Sequence, residues 1–254
     1  GASSNLGKVQ LYRGDATIAL DLAHRLISIS GSAAAGRFGA AVAPAGDVNG
    51  DGISDLLLAA PDQNGWGVAK VYHGAPDLPA ATASWSVQGA ANYQRMGECV
   101  ASAGDVNADG YSDLLVGMPG SSMDKGVVML FLGSATGLPA APSWTKQGEN
   151  VNDGFGLCVA SAGDVNGDGY SDVLVGAPAW PTGVTNQWRG KAYLFLGSAS
   201  GLSASAAWTK TGPQTESRFG YSLSSAGDVN GDGYSDVIIG AYTQVNAPGT
   251  GEGG

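Results

Sequence analysis

The nonapeptide Asp-Val-Asn-Gly-Asp-Gly-x-Ser-Asp occurs four times, at Asp47 to Asp55, Asp105 to Asp113 (with Ala108 for the first Gly), Asp164 to Asp172 and Asp228 to Asp236. Each copy places oxygen-bearing side chains at positions 1, 3, 5 and 9: Asp47, Asn49, Asp51 and Asp55; Asp105, Asn107, Asp109 and Asp113; Asp164, Asn166, Asp168 and Asp172; Asp228, Asn230, Asp232 and Asp236. A Gly at position 6 lets the chain turn sharply around an ion. Hard oxygen donors without sulfur or imidazole select Ca²⁺ over zinc or copper. The spacing therefore predicts one Ca²⁺ per repeat and four per chain. EF-hand loops begin in the same way but require an acidic ligand at position 12 and flanking helices. Here position 12 is Leu58, Val116, Val175 or Ile239, each in an apolar stretch that reads as a strand. Two carboxylates about 4 Å apart repel by roughly 4 kcal/mol at an effective dielectric near 20, so three in one hairpin call for a counter-charge.

Little else in the chain suggests chemistry. His24 and His73 are not in equivalent places, neither adjoins a nucleophile motif, and most carboxylates belong to the loops. The formal charge is -10, but the loops hold 12 of the 22 acidic residues, and four bound Ca²⁺ would bring the total to -2. The acidity reads as metal-ligand inventory, and nucleic-acid binding is excluded in either state. No apolar run reaches the roughly 18 residues of a membrane span, and Gly1-Ala2-Ser3-Ser4 carries no signal-peptide pattern, so no membrane insertion is expected. The chain is not an enzyme on this reading.

The elements that must position the loops follow from the repeat itself. Successive loops start 58, 59 and 64 residues apart, and Ala101 to Gly117 matches Ala160 to Gly176 at 15 of 17 positions. A period near sixty implies one supersecondary unit used several times. In the second unit four short segments read as strands: Met96 to Ala103, Asp113 to Met118, Gly126 to Leu132 and Ser143 to Gln147. They are β-branched or aromatic and separated by Gly, Pro, Asn and Ser, which leaves no room for an ordinary helix. The 42 Gly residues and 13% charged residues fit this turn-rich, all-β reading. Four antiparallel strands per repeat make a β-propeller blade, with the calcium loop between strands one and two. The expected blades are 37–89, 95–148 and 154–212 within a single domain, 1–254.

The ends supply a fourth blade in two pieces. Residues 218–242 hold strands one and two, and 7–31 hold strands three and four: Gly7 to Gly14 aligns with Gly126 to Gly133 and Gly190 to Gly197. N-terminal strands completing the last blade would close the ring and hide two sheet edges.

These repeats resemble the FG-GAP repeats of integrin α-subunit β-propellers, which also occur in bacterial surface proteins and a fungal lectin. The Phe-Gly element stands at Phe38-Gly39, Phe155-Gly156 and Phe219-Gly220, and the Gly-Ala-Pro element at Gly176-Ala177-Pro178. Met96 replaces Phe, Ala59 replaces Gly, Met118 replaces Ala and Tyr242 replaces Pro, none at a metal position. The resemblance implies that the side-chain ligands are joined by the carbonyls of Ile53, Tyr111, Tyr170 and Tyr234. It further implies an extracellular or cell-surface module that binds a protein or glycan ligand in adhesion, or alternatively a calcium-stabilised lectin. Integrin-type rings usually have seven blades at about 51° each, whereas four blades would need about 90°. A homodimer forming an eight-bladed ring, a four-bladed monomer and a fragment of a larger ring all remain open. Arg13-Gly14-Asp15 matches the tripeptide that integrins recognise, but it occupies the turn after a third strand and reads as coincidence.

Trp85, Trp144 and Trp208 share one fourth-strand position, with Ile27 there in the fourth unit, and read as blade-core packing. Trp66, Trp180 and Trp188 fall between strands two and three, on the face opposite the calcium loops, where aromatic rings suit either local packing or a ligand site. Cys99 and Cys158 hold equivalent places in two repeats and are expected to be buried free thiols.

Overall fold

A computed structural model describes residues 6–14, 25–33, 35–76, 79–120, 125–181 and 188–243. Asp15, His24 and the first five residues lie outside the described residues. Three antiparallel sheets of four strands follow one another along the chain. The first comprises β3 (Ala41–Gly46), β4 (Asp55–Ala60), β5 (Val68–Tyr72) and β6 (Trp85–Gln88). The second comprises β7 (Val100–Gly104), β8 (Asp113–Met118), β9 (Val127–Phe131) and β10 (Trp144–Gln147). The third comprises β11 (Cys158–Gly163), β12 (Asp172–Ala177), β13 (Lys191–Phe195) and β14 (Trp208–Thr211). Each pairs in the order one-two-three-four, as a propeller blade does. The sole helical element among the described residues is a turn at Gln63–Gly65.

The terminal segments form two further sheets of two strands each: β1 (Lys8–Tyr12) with β2 (Arg25–Ser30), and β15 (Ser222–Gly227) with β16 (Asp236–Gly240). The two do not pair with each other within the chain, so the expected closing blade is present as separate halves. The first half packs beside the first blade through Ile29, Phe38 and Tyr72, and the second packs through β15 against β11. Inner strands are neighbours in sequence order, β3 on β7, β7 on β11 and β11 on β15.

The Phe-Gly and Gly-Ala-Pro elements meet physically. The glycine N–H of the first donates to the carbonyl that ends strand two of its own blade: Gly97 to Gly117 at 2.9 Å, Gly156 to Gly176 at 3.0 Å and Gly220 to Gly240 at 3.0 Å. The preceding apolar residue turns inward, with Met96 and Phe155 each 1% exposed. Blades adhere through the fourth-strand tryptophans. Trp85 meets Phe131 of the next blade edge-on at 4.8 Å, and Trp144 meets Phe195 at 5.1 Å. Their Nε1–H groups donate across the same junctions to Pro139 O and Ser203 O. Aromatic pairs of this geometry add to the burial of their area.

Gly126 shows why glycine opens the third strand. It has φ of +79°, and a Cβ there would lie 2.0 Å from the Phe155 carbonyl oxygen of the next blade. Gly126→Ala is therefore expected to cost about 2 kcal/mol or more, because a left-handed backbone alone costs roughly 1–2 kcal/mol for a residue with a Cβ. A urea denaturation midpoint equal to that of the parent protein would refute this.

Cys99 and Cys158 prove to be neighbours across the junction of the second and third blades. Val159 N–H donates to Cys99 Sγ at 3.3 Å. A hydrogen bond to Cys158, together with burial, pushes the Cys99 thiol pKa far up. Both cysteines are free and half-buried.

Candidate functional site

The four loops adopt one conformation, set by short-range hydrogen bonds from backbone amides to carboxylates. In the first, Asp47 Oδ1 accepts from Gly50 N at 2.7 Å and Asp51 N at 3.1 Å, and Oδ2 accepts from Gly52 N at 2.7 Å. Asn49 Oδ1 accepts from Asp51 N, its Nδ2 donates to Asp51 Oδ2, and Asp51 Oδ1 accepts from Ile53 N. The same pattern ties Asp164, Asn166 and Asp168, with Tyr170 N donating to Asp168. Asp228, Asn230 and Asp232 repeat it, with Tyr234 N donating to Asp232. In the second loop Ala108 stands at position 4, and Asp105 Oδ1 still accepts from Asp109 N while Oδ2 accepts from Gly110 N. Asn107 Nδ2 donates to Asp109 Oδ2, and Tyr111 N donates to Asp109 Oδ1. Ala108 accordingly takes a left-handed φ of +56° that Gly50 and Gly167 adopt without a Cβ. Desolvation works against the Asp47 charge, but the amides of Gly52, Gly50 and Asp51 together hold its pKa below the usual range, and those of Gly233, Gly231 and Asp232 do the same for Asp228.

The position-9 carboxylates face the base of the hairpin. Asp55 accepts from Val48 N at 3.0 Å and from Gly74 N at 2.8 Å, after the third strand. Asp113 does the same with Val106 N and Gly133 N, and Asp172 with Val165 N and Gly197 N. Asp55, Asp113 and Asp172 are buried. Burial raises the Asp113 pKa to about 7, against the pull of its two amide donors and with a further push from the charges of Asp109 and Asp105. Asp172 is raised for the same reasons, with Asp168 and Asp164 as the repelling charges. In these two loops the charges at positions 1 and 5 thus oppose ionisation at position 9. Among the described residues no three acidic, histidine or cysteine side chains converge into a complete metal centre. Positions 1, 3 and 5 are bound together at the loop rim, and position 9 serves the hairpin base. The donor set is wholly hard oxygen, which fits Ca²⁺ in kind.

Neighbouring loops are joined in series. Ser112 N donates to Asp47 O at 2.8 Å, Ser171 N to Asp105 O at 2.9 Å and Ser235 N to Asp164 O at 2.8 Å. One loop's conformation therefore bears on the next.

On the opposite face the three tryptophans part company. Trp66 is half-buried after the Gln63–Gly65 turn, its carbonyl accepting from Met96 N. Trp188 is 40% exposed, with the Arg218 guanidinium 4.4 Å from its ring centre. Trp180 belongs to a cluster that sequence reasoning did not find. Its Nε1–H donates to Glu149 Oε2 at 3.1 Å, Lys191 Nζ donates to Glu149 Oε1 at 2.6 Å, and the same ammonium lies over the Trp180 and Tyr193 rings. Burial works against the Glu149 charge, but Lys191 and Trp180 hold its pKa below the usual range. The buried Tyr193 hydroxyl makes no hydrogen bond of ordinary geometry, and its pKa is pushed up by burial and by the charges of Glu149 and Asp153. A cavity of about 450 Å³ between the second and third blades is lined by Lys146, Glu149, Phe155, Lys191, Tyr193 and Phe195, among others. A partial signal for it existed: Tyr193 stands where the other units have Gln10, Lys70 and Met129, whereas Lys191 has a counterpart in Lys8.

The FG-GAP repeat model matches residues 159–195 and 219–254, and the FG-GAP-like repeat model matches 47–116 and 105–175. Integrin alpha-IIb of Homo sapiens is 41% identical over 150 residues, covering 54% of this chain and 14% of that protein. Integrin alpha-V of Gallus gallus is 32% identical over 222 residues (78% and 19%), and integrin alpha-5 of Xenopus laevis is 32% identical over 191 residues (70% and 18%). The chain spans less than a fifth of the length of these relatives. The family models cover all four loops, and the chain belongs to the FG-GAP repeat family, with the integrin α-subunits among its relatives.

Proposed function

We propose that the protein is a calcium-stabilised, extracellular binding module of the integrin α type, which engages a ligand on the face opposite its calcium loops. The observation that carries this is the fourfold recurrence of one loop in which backbone amides hold Asp and Asn oxygens at positions 1, 3 and 5. In the first loop Asp47, Asn49, Asp51 and Asp55, with the Ile53 carbonyl, would hold the ion, and the equivalent residues would do so in the other three. Bound Ca²⁺ supplies the positive charge that the clustered carboxylates lack, and its role is structural.

Ligand binding falls to the opposite face because its loops are the part of the repeat that varies, presented on a rigid scaffold. The cavity beside Trp180 favours the lectin alternative as a second reading. It combines aromatic walls with a carboxylate, two ammonium groups and a buried phenol lacking a complete hydrogen bond, the mixture that orients a small polar ligand. A glycan array probed with the calcium-loaded protein tests this. Binding that Trp180→Ala weakens at least tenfold, with the melting temperature unchanged, would support the lectin. Binding to immobilised extracellular-matrix proteins without any glycan response would favour the adhesion module, and no binding to either would refute the ligand face.

A further inference from the structure

We infer that the protein forms a ring from two copies, in which β1 and β2 of one copy complete the half-blade β15–β16 of the other, with Tyr12 seated on Trp208. This goes beyond the calcium and ligand readings and depends on neither. The repeat provides its own template. In every junction between complete blades the fourth-strand tryptophan packs on the aromatic residue that ends the third strand of the next blade, Trp85 on Phe131 and Trp144 on Phe195. Trp208 holds the same position in the third blade but is 40% exposed. It borders an apolar notch of about 290 Å³ shared with Leu194 and Val237. The residue that ends the third strand of the missing half is Tyr12, at the end of β1.

Hydrogen bonding repeats the argument. Asp55, Asp113 and Asp172 each accept from the glycine after their blade's third strand. Asp236 accepts from Val229 N alone among the described residues, and the corresponding glycine is Gly14, after β1. The sheet edges match as well. Among the described residues β16 is unpaired on the side where strand two meets strand three, and β1 is unpaired on the complementary side. Ile238 of β16 is 62% exposed, whereas its counterparts Leu57, Leu115 and Leu174 are all fully buried. An apolar strand edge of this kind is an open template for pairing. Strand two pairs strand three as Val173 with Phe195 and Leu174 with Leu194. The same register sets Val237 opposite Tyr12 and Ile238 opposite Leu11.

The two halves form separate sheets packed on opposite ends of the row of blades, and each carries the edge that a second copy's other half would pair. The exchange is reciprocal under two-fold symmetry and yields two composite blades beside the three complete blades of each copy.

Light scattering on the intact 254-residue chain should give twice the 25.3 kDa chain mass. Trp208→Ala and Tyr12→Ala should each halve that mass, with the β-sheet circular dichroism retained. A parent protein of single-chain mass, or a Trp208→Ala protein that stays dimeric, would overturn the proposal. A second measurement covers a variant that fails to fold. One batch carrying Leu11→Cys and another carrying Ile238→Cys, both with Cys99→Ser and Cys158→Ser, are mixed and oxidised. A covalent pair joining the two batches is expected. If both cysteines are instead placed in one chain and link only within it, the second copy is ruled out.

Discussion

Chelation of calcium is expected to lower the melting temperature by roughly 20 °C or more, the largest single effect foreseen for this molecule. If free Ca²⁺ stands at about 100 times its dissociation constant, each independent site adds about 2.7 kcal/mol. Four such sites rival the roughly 5–15 kcal/mol that stabilises an ordinary domain. At roughly 2–4 °C per kcal/mol for a chain of this size class, the shift is well within calorimetric reach. The loops are also joined in series through Ser112, Ser171 and Ser235, so loss of one ion should be felt by its neighbours. Asp109→Ala should therefore remove more than a quarter of the calcium-dependent increment. A thermal transition that is the same in excess chelator and excess Ca²⁺ would show that the amide-filled loops hold their shape unaided.

The second large effect belongs to the blade junctions. Phe131 is fully buried, packs edge-on against Trp85 of the preceding blade, and lies in the core cluster shared by the first and second blades. Phe131→Ala should cost about 3–5 kcal/mol, the usual range for deleting a buried aromatic ring. The loss acts at a junction and should loosen two blades together, so urea unfolding should become less cooperative as well as easier. A change below about 1 kcal/mol with an unaltered slope would mean that the junction collapses around the cavity. Trp85→Ala removes the other half of the same pair and also the Nε1–H bond to Pro139 O, so its cost should be comparable.

The cluster around Glu149 has a different origin. Its members come from the end of one blade, from the connection between the second and third strands of the next and from that third strand, with Glu149 31 residues from Trp180 and 42 from Lys191. No periodicity connects them. What makes the cluster visible in retrospect is departure from the repeat at Tyr193, where the other units have Gln10, Lys70 and Met129. In a chain built of near-copies, a position that breaks the copy is a place to look for function.

The sequence alone determined the elements and the loops, because both depend on neighbours close along the chain. Gly at position 6 and Asp, Asn and Asp at positions 1, 3 and 5 select the loop conformation through hydrogen bonds spanning two to five residues. Short β-branched segments between Gly-rich turns specify the strands, and the second unit's predicted strands fall on β7 to β10 to within a few residues. The Phe-Gly and Gly-Ala-Pro elements are legible for the same reason, each blade using them in the same way. Contacts between strands that are not neighbours along the chain, and between blades, were decided only by the tertiary structure. It turned Asp55, Asp113 and Asp172 toward amides at the hairpin base, set Cys99 beside Cys158, and left β1–β2 and β15–β16 as separate halves. The carboxylate contacts span 7 to 25 residues and the contacts between blades about sixty or more, where side-chain shape and edge geometry govern and local propensity has little influence.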